Sequence, residues 1–202
     1  QANSRGSLTI LVEDGTYTIS DMLWISADNV TIRSRSGNRD RVIIRGRGMN
    51  GSVGFIFNVA GSSFTAADMT LGWVANHAIQ IHGDTDSDNT LIHNVRFVDT
   101  YEQMLKISYA EGTATRSDRG VVQCCVFEYS AGIGPQYYIG GIDGHWCRDW
   151  TVRSNTFLHI RSPEADLAEY AVHFWTDSEN TVVENNRIVD CDRGIGFGLG
   201  DR

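Results

Sequence analysis

The sequence lacks an excess of basic residues. Asp and Glu together number 25 against 17 Lys and Arg, which gives 202 residues a formal net charge of −8. This balance excludes a nucleic-acid binder, which needs a basic face to displace the counterions of the phosphates. Lysine is scarcest of all, because Lys106 is the single lysine and every other basic residue is an arginine.

Long apolar runs and a secretion signal are also absent. No run approaches the roughly 20 residues that a membrane-spanning helix needs, so we expect no membrane span. The chain begins Gln1-Ala2-Asn3-Ser4, which is compatible with a signal segment that has been cleaved. With 41% hydrophobic residues, the composition suits a sizeable core rather than disorder. We therefore expect residues 1–202 to form one domain, either whole or a fragment of a longer solenoid.

The four cysteines lack the spacing of a zinc site. Cys124 and Cys125 are adjacent, whereas Cys147 and Cys191 stand alone. We expect buried structural thiols. A disulfide, such as one involving Cys147, is the alternative if the protein is secreted.

A repeat of about 30 residues runs through the second half of the chain. Four β-branched segments end on Phe97, Phe127, Phe157 and Ile188, which are 30, 30 and 31 residues apart. Short strands at this period predict a solenoid of β-coils. Aligning the segments stacks Asn94, Cys124, Ser154 and Asn185 at one corner, with Val95, Cys125, Asn155 and Asn186 beside them. Asn tolerates the left-handed conformation that such a corner needs.

A second family of short strands precedes each repeat. Its first and third residues should point inward and its second and fourth outward. The predicted inward residues are Ile79, Ile81, Leu105, Ile107, Ile142, Val172, Phe174, Ile195 and Phe197. Parallel strands lie about 4.8 Å apart, so the outward residues form columns. The first column is Trp24, Ile56, Gln80, Lys106, Asp143, His173 and Gly196, and the second is Ser26, Asn58, His82, Ser108, His145, Trp175 and Gly198.

The middle of these columns predicts a groove with ionisable residues at its centre. An ε-amine can shift its pKa toward neutrality, unlike a guanidinium, so Lys106 is a candidate general base. The alternative is an ion pair with Asp143, contributing little more than ~1 kcal/mol at the surface. Asp143 and His173 are candidate general acid–base groups or an orienting pair.

Three longer corners flank the same strands, at residues 109–119, 129–138 and 162–170, and insertions in solenoids tend to lie on the binding face. Aromatic residues near them could form a platform for sugar rings. The predicted substrate-binding set is Gln80, His82, Tyr109, Arg116, Tyr137, Tyr138, His145, Trp146, Arg148, Arg161 and Trp175. The acidic run at residues 84–88 lacks the glycine and distal glutamate of an EF-hand, and we expect a solvated corner.

The strand pattern and segments such as Val12-Glu13-Asp14-Gly15-Thr16-Tyr17 resemble the right-handed parallel β-helix of the pectate-lyase-like superfamily. The resemblance covers nearly all of the chain. It implies an all-β, right-handed parallel β-helix solenoid of about six to seven coils, and parallel crossovers are normally right-handed. It also implies a secreted or periplasmic protein and raises Ca²⁺ as a cofactor, although no full set of metal ligands can be named. One fold hosts many reactions, so the resemblance does not choose among them.

Three functions remain open. The first is a lyase that cleaves an acidic, uronic-acid polysaccharide by β-elimination. Lysine is the base in the chondroitinase B and alginate lyase families that the chain resembles in fold. A metal or a nearby arginine would bind the carboxylate, and the candidate arginines are Arg116, Arg119, Arg148 and Arg161. The second is a glycoside hydrolase using Asp143 and another carboxylate such as Glu102. The third is a non-catalytic carbohydrate-binding or surface-structural solenoid. The segment 194–200 shows no cap, so we expect the last coil to continue or to pack on another subunit.

Overall fold

The computed structural model describes residues 7–198. Most of the chain forms short strands joined by tight corners, because β-branched and aromatic residues alternate with polar ones and turn residues follow at once. The strands in chain order are β1 (Leu8–Val12), β2 (Gly15–Thr18), β3 (Leu23–Ile25), β4 (Val30–Ser34), β5 (Val42–Arg45), β6 (Phe57–Val59), β7 (Thr65–Val74), β8 (Ile79–His82), β9 (Leu91–Thr100), β10 (Leu105–Ser108), β11 (Ser117–Asp118), β12 (Val121–Gln123), β13 (Val126–Glu128), β14 (Ile142–His145), β15 (Cys147–Arg148), β16 (Thr151–Arg153), β17 (Thr156–Leu158), β18 (Tyr170–Trp175), β19 (Val182–Glu184), β20 (Arg187–Val189) and β21 (Arg193–Phe197). One 3₁₀ turn, Gly83–Thr85, follows β8.

The coils stack these strands into parallel sheets. One 12-stranded sheet runs β1-β4-β7-β9-β12-β16-β19, with β2, β5, β13, β17 and β20 paired alongside. A separate seven-stranded sheet, called the site sheet below, runs β21-β18-β14-β10-β8-β6-β3. The chain is therefore a parallel β-helix of about six turns, which confirms the predicted fold class. None of the residues 7–198 belongs to a helix long and apolar enough to cross a membrane.

Left-handed residues form the corners of the coils, as the repeat predicted. Asn94, Cys124, Ser154 and Asn185 all have φ between 51° and 58°. A positive φ lets the chain turn sharply within one residue, and short polar side chains tolerate it best. The same position in successive coils therefore adopts the same conformation, and this keeps the coils in register.

An asparagine ladder stabilises this corner from coil to coil. The Asn155 side-chain oxygen accepts a hydrogen bond from the Cys125 amide at 2.9 Å, and its Nδ2 donates to the Val122 carbonyl at 3.0 Å. Asn186 Oδ1 in turn accepts from the Asn155 amide at 2.9 Å. Asn155 is buried, so its side chain satisfies backbone groups that could not reach water.

The core is a stack of the repeat-ending apolar residues. Phe97, Phe127 and Phe157 lie opposite one another in register, with ring centroids 4.5 and 4.7 Å apart. All three are fully buried. Truncating one buried phenylalanine to alanine lowers the free energy of unfolding by about 3–5 kcal/mol, so this column of rings is a main source of stability.

Two residues predicted to point inward are exposed at the last described coil, although they keep the predicted register opposite Val172 and Phe174. Ile195 and Phe197 are 45% and 58% exposed, because no described coil covers β21. The other predicted inward residues, from Ile79 to Phe174, are buried. The predicted burial of Cys124 is also wrong, since this thiol is exposed; none of the four cysteines forms a disulfide.

Candidate functional site

The site sheet brings the predicted catalytic residues onto adjacent strands. Lys106 lies opposite Gln80 on one side and Asp143 on the other. Asp143 lies opposite His173, and His145 opposite Trp175. The columns around Lys106 therefore have the predicted register, and their side chains share the outer face of the sheet.

The first column differs from the prediction at one rung. Asn58, not Ile56, lies between Trp24 and Gln80. Ile56 is fully buried just before β6. The alternation could not choose the register here, because Phe55, Ile56 and Phe57 are all apolar and either phase places a large side chain inward.

Lys106 is held by two partners on the neighbouring strand. Its Nζ donates to Asp143 Oδ2 and also lies 2.9 Å from His145 Nε2. Asp143 Oδ1 accepts a hydrogen bond of 2.7 Å from Trp175 Nε1. We call Lys106, Asp143, His145, His173 and Trp175 the Lys106 cluster.

The ion pair in this cluster is buried, not at the surface as the alternative to a catalytic Lys106 assumed. Only 14% of the Lys106 side chain and 2% of the Asp143 side chain are exposed. The attraction between two exposed charges is weak because solvent screens it. The attraction between two buried charges is strong, but it must offset the large cost of removing both charges from water. The pair therefore matters more to the fold than an exposed one would.

Asp143 is ionised in this setting. Burial alone raises its pKa, but hydrogen bonding with His145 and the positive charge of Lys106 outweigh burial and hold the pKa well below its usual range. His145 Nε2 lies 3.4 Å from Asp143 Oδ2. At neutral pH Asp143 therefore stays ionised, accepts hydrogen bonds and carries no proton to donate.

His173 lines the same face but is bound differently. Its Nε2 donates to the Gly198 carbonyl at 2.9 Å, while Nδ1 lies 4.0 Å from Asp143 Oδ1. The ring stacks on Trp175 at a centroid distance of 4.8 Å. Burial lowers its pKa, so the neutral ring is favoured. His173 thus borders the cluster through its contacts with Trp175 and Gly198 and does not bind Lys106.

A row of stacked rings leads away from the cluster. Tyr109 stacks on His145 at 5.3 Å and on Trp146 at 5.7 Å. The Arg116 guanidinium lies 5.5 Å from the centre of the Trp146 ring and also bonds Glu179. Tyr109 and Arg116 come from the first predicted insertion, which therefore does border the site.

Two further acids lie beside the cluster: Glu169, which was not predicted, and Glu102, which was predicted only as a second carboxylate for a hydrolase. Gln103 Nε2 donates to Glu169 Oε2 at 2.6 Å. Burial raises the pKa of Glu169, and the negative charge of Asp143 raises it further. Burial also raises the pKa of Glu102. Glu169 belongs to the third predicted insertion, one residue before β18, so the insertion pattern was the signal that could have found it.

His77 was not predicted at all. It is buried, and its Nδ1 lies 2.7 Å from the Gln103 carbonyl. Burial lowers the pKa of His77 to about 4. Because it falls between predicted strands, no column contained it.

The remaining predicted binding residues are spread more widely. Tyr138 lies near the cluster. Burial raises its pKa, the positive charge of Lys106 lowers it, and the negative charges of Glu169 and Asp143 raise it. Tyr137 is exposed and packs edge-on against Tyr138.

Three of the predicted polar residues bond elsewhere. His82 bonds Asn58 and Asp84. Arg148 bonds Asp118 on β11, away from the cluster. Arg161 pairs with Asp190 and Asp192 beside β20, far along the chain from the site sheet's centre. Arg116, by contrast, borders the row of rings that ends on His145 of the cluster.

No metal site accompanies the cluster within the described part of the chain. Residues 7–198 contain no group of three or more His, Cys, Asp and Glu side chains that could hold an ion. In the acidic run, Asp84 bonds His82 and Asp88 pairs with Arg119. With these two carboxylates paired to protein groups, the run does not fit a Ca²⁺ site.

Comparisons with known proteins give structural matches only. No protein-family model and no curated protein matches the chain. Among solved structures, a pectin methylesterase from Yersinia enterocolitica has a TM-score of 0.49 and 16% identity, over 91% of this chain and 63% of that one. An alginate lyase from Paenibacillus sp. str. FPU-7 has a TM-score of 0.45 and 12% identity, over 96% of this chain and 92% of that one.

A second pectin methylesterase, determined in complex with a hexasaccharide, has a TM-score of 0.48 and 13% identity, over 87% of this chain and 57% of that one. This chain thus spans less than two thirds of the length of both methylesterases. At such identities the matches assign no reaction and no residue to this chain.

Proposed function

We propose that this protein cleaves an acidic polysaccharide by β-elimination on the outer face of the site sheet, with Lys106 as the base. The observation that carries the proposal is the contact of Lys106 Nζ with both Asp143 and His145. An ammonium has no lone pair and cannot remove a proton until it has passed its own to a neighbour. The cluster offers that neighbour.

The proton route follows from the hydrogen bonds of His145. When Lys106 donates to His145 Nε2, the neutral ring carries its proton on Nδ1, which faces Thr176 Oγ1 at 3.1 Å. Transfer of a Lys106 proton to Nε2 leaves a neutral amine and an imidazolium. Asp143, ionised and 3.4 Å from Nε2, balances that charge. Pairing a base with an oriented, charge-balancing group is the usual way to activate a weak nucleophile or base.

The chemistry then needs two proton movements on the sugar. The Lys106 amine would take the proton from C5 of the uronate, the C5–H electrons would form the C4–C5 double bond, and the C4–O bond would break. The departing oxygen takes a proton from a neutral donor. Tyr138 would fill that role, because a phenol carries its proton at neutral pH and this side chain is accessible at the surface.

A glycoside hydrolase is the second candidate, and a different observation favours it. The environments of two carboxyl groups push their pKa values apart: that of Asp143 is lowered and that of Glu169 is raised. A base and an acid with separated pKa values are what hydrolysis of a glycosidic bond requires. In that reaction Asp143 would activate water and Glu169 would protonate the leaving oxygen.

The two reactions leave different products. We would incubate the protein with alginate, pectate and chondroitin sulfate, with and without Ca²⁺, and follow the ultraviolet absorbance of unsaturated uronate together with new reducing ends. Elimination predicts both signals. Reducing ends without absorbance favour the hydrolase, and retained binding with neither signal favours a non-catalytic module.

Lys106→Arg tests the base. It preserves the charge beside Asp143 but replaces the amine with a guanidinium that does not release its proton, so elimination should fall by roughly 100-fold or more while the fold is kept. Arg45→Ala is the matched control, because Arg45 lies on β5, outside the site sheet, and its Nε donates to Thr18 Oγ1. Full activity in Lys106→Arg would refute Lys106 as the base.

A further inference from the structure

The outer face of the site sheet continues from Lys106 toward the first coil. Lys106, Gln80, Asn58 and Trp24 lie opposite one another on β10, β8, β6 and β3. Three strand spacings separate Trp24 from Lys106, which is about 14 Å. A pyranose ring with its linking oxygen spans roughly one strand spacing, so a polysaccharide lying across the strands would reach Trp24 about three sugars from Lys106.

Trp24 presents an indole face at this point. The residue is 42% exposed although it lies in the middle of a strand. Its ring lies 5.0 Å from the ring of His82, centroid to centroid. His82 is itself fixed by a 2.9 Å hydrogen bond between Nε2 and Asn58 Oδ1. The indole therefore rests on an ordered neighbour, and ordering it on binding would cost little side-chain entropy.

In the first column, the two residues between Trp24 and Lys106 are Asn58 and Gln80, and neither carries a formal charge. Gln80 Nε2 donates to Ser108 Oγ at 3.1 Å, and Ser108 Oγ donates to the Ile81 carbonyl at 3.3 Å. Both side chains are half-buried, so amide and hydroxyl groups reach the surface in a fixed orientation. Such groups suit sugar hydroxyls, whereas the ionised groups of this face begin at Lys106.

We infer that Trp24 forms a second sugar-binding subsite about three sugars from the Lys106 cluster, and that Gln80, one strand from Lys106, binds the same polysaccharide between the two. This inference rests on the proposed function for the position of the reacting bond. The indole would stack on the apolar CH face of a pyranose, and Gln80 would bond hydroxyls of the sugar between them. Sugars on this side are recognised by ring and hydroxyls and not by their carboxylates.

Chain length is the test. We would measure binding of a disaccharide and a hexasaccharide from alginate, pectate and chondroitin sulfate by calorimetry, for the wild type, Trp24→Ala and Tyr17→Ala. Tyr17 is the matched control, an exposed aromatic residue on β2, outside the site sheet. A disaccharide cannot cover both Trp24 and Lys106. Trp24→Ala should weaken hexasaccharide binding roughly five- to tenfold and leave disaccharide binding unchanged, consistent with the loss of one ring contact.

The outcomes separate the two proposals. Equal weakening for both lengths, or none, would overturn the subsite while the reaction at Lys106 could stand. Trp24-dependent hexasaccharide binding without any cleavage would support the subsite and refute the reaction. A wild type that binds none of these oligosaccharides refutes both. Trp24→Phe, which keeps an aromatic face, should recover most of the lost affinity, and failure to do so with a folded protein counts against stacking.

Discussion

Removing one partner of the buried Lys106–Asp143 pair should destabilise the fold severely. In Asp143→Asn the amide can still accept from Trp175 Nε1, so the change removes mainly the charge opposite Lys106. With 86% or more of each side chain buried, the lone ammonium is left uncompensated, and such losses cost about 3–5 kcal/mol. Lys106→Met leaves the carboxylate unpaired and should cost a similar amount, roughly 3 kcal/mol.

The double variant shows whether the two residues act as a pair. With both charges removed, neither is left unpaired, so the double variant should lose less than the two single losses together, with a coupling free energy of about 1–3 kcal/mol. Urea unfolding followed by tryptophan fluorescence measures each free energy of unfolding. If each single variant lost less than 1 kcal/mol of unfolding free energy and the two losses simply added, the pair would behave like an exposed surface pair. That result would refute the conclusion that Lys106 and Asp143 form a buried, coupled pair.

Three further outcomes are expected. The pKa of His77 is about 4 in the folded state and 6.5 in the unfolded state, so the unfolded state takes up the proton first as pH falls. The free energy of unfolding should therefore decrease by roughly 3 kcal/mol between pH 6.5 and 4. His77→Asn should abolish that decrease in a pH series of urea melts. Asn155→Ala leaves the Cys125 amide and the Val122 carbonyl unbonded and should cost about 2–4 kcal/mol in the same assay; a loss under 1 kcal/mol would contradict the ladder. A Cβ on Gly72 would lie 1.7 Å from a backbone oxygen, so Gly72→Ala should prevent folding to a cooperative state by calorimetry, and a normal melting transition would contradict the close approach of the coils.

The fold was predictable because one repeat sets the register over the second half of the chain. The 30-residue spacing of Phe97, Phe127 and Phe157 places these residues opposite one another in successive coils. The register failed before that repeat, at Ile56 and Asn58, where Phe55, Ile56 and Phe57 are all apolar and alternation carries no information. For Ile195 the inward direction of the side chain was predictable from the strand pattern, but the absence of a described coil that covers it was not.

The site was predictable as an arrangement of columns but not as chemistry. The strand register alone brings Lys106 beside Asp143. His145, which contacts Lys106, packs in turn against Tyr109 from a long corner and against Trp175 from a neighbouring strand. Glu169 comes from such a corner too. Side chains from irregular segments have no period, so the sequence carries no signal for where they point.

Lysine scarcity makes one measurement decisive. Because Lys106 is the single lysine of this sequence, an amine-reactive label finds one side-chain amine here, and the α-amine of the expressed protein is an internal control. Labelling would be followed by mass spectrometry with increasing hexasaccharide from the polysaccharide that the protein cleaves or binds. The account predicts that saturating ligand protects Lys106 and leaves the α-amine unchanged. Equal labelling of Lys106 with and without bound ligand would contradict the claim that the sugar occupies this face.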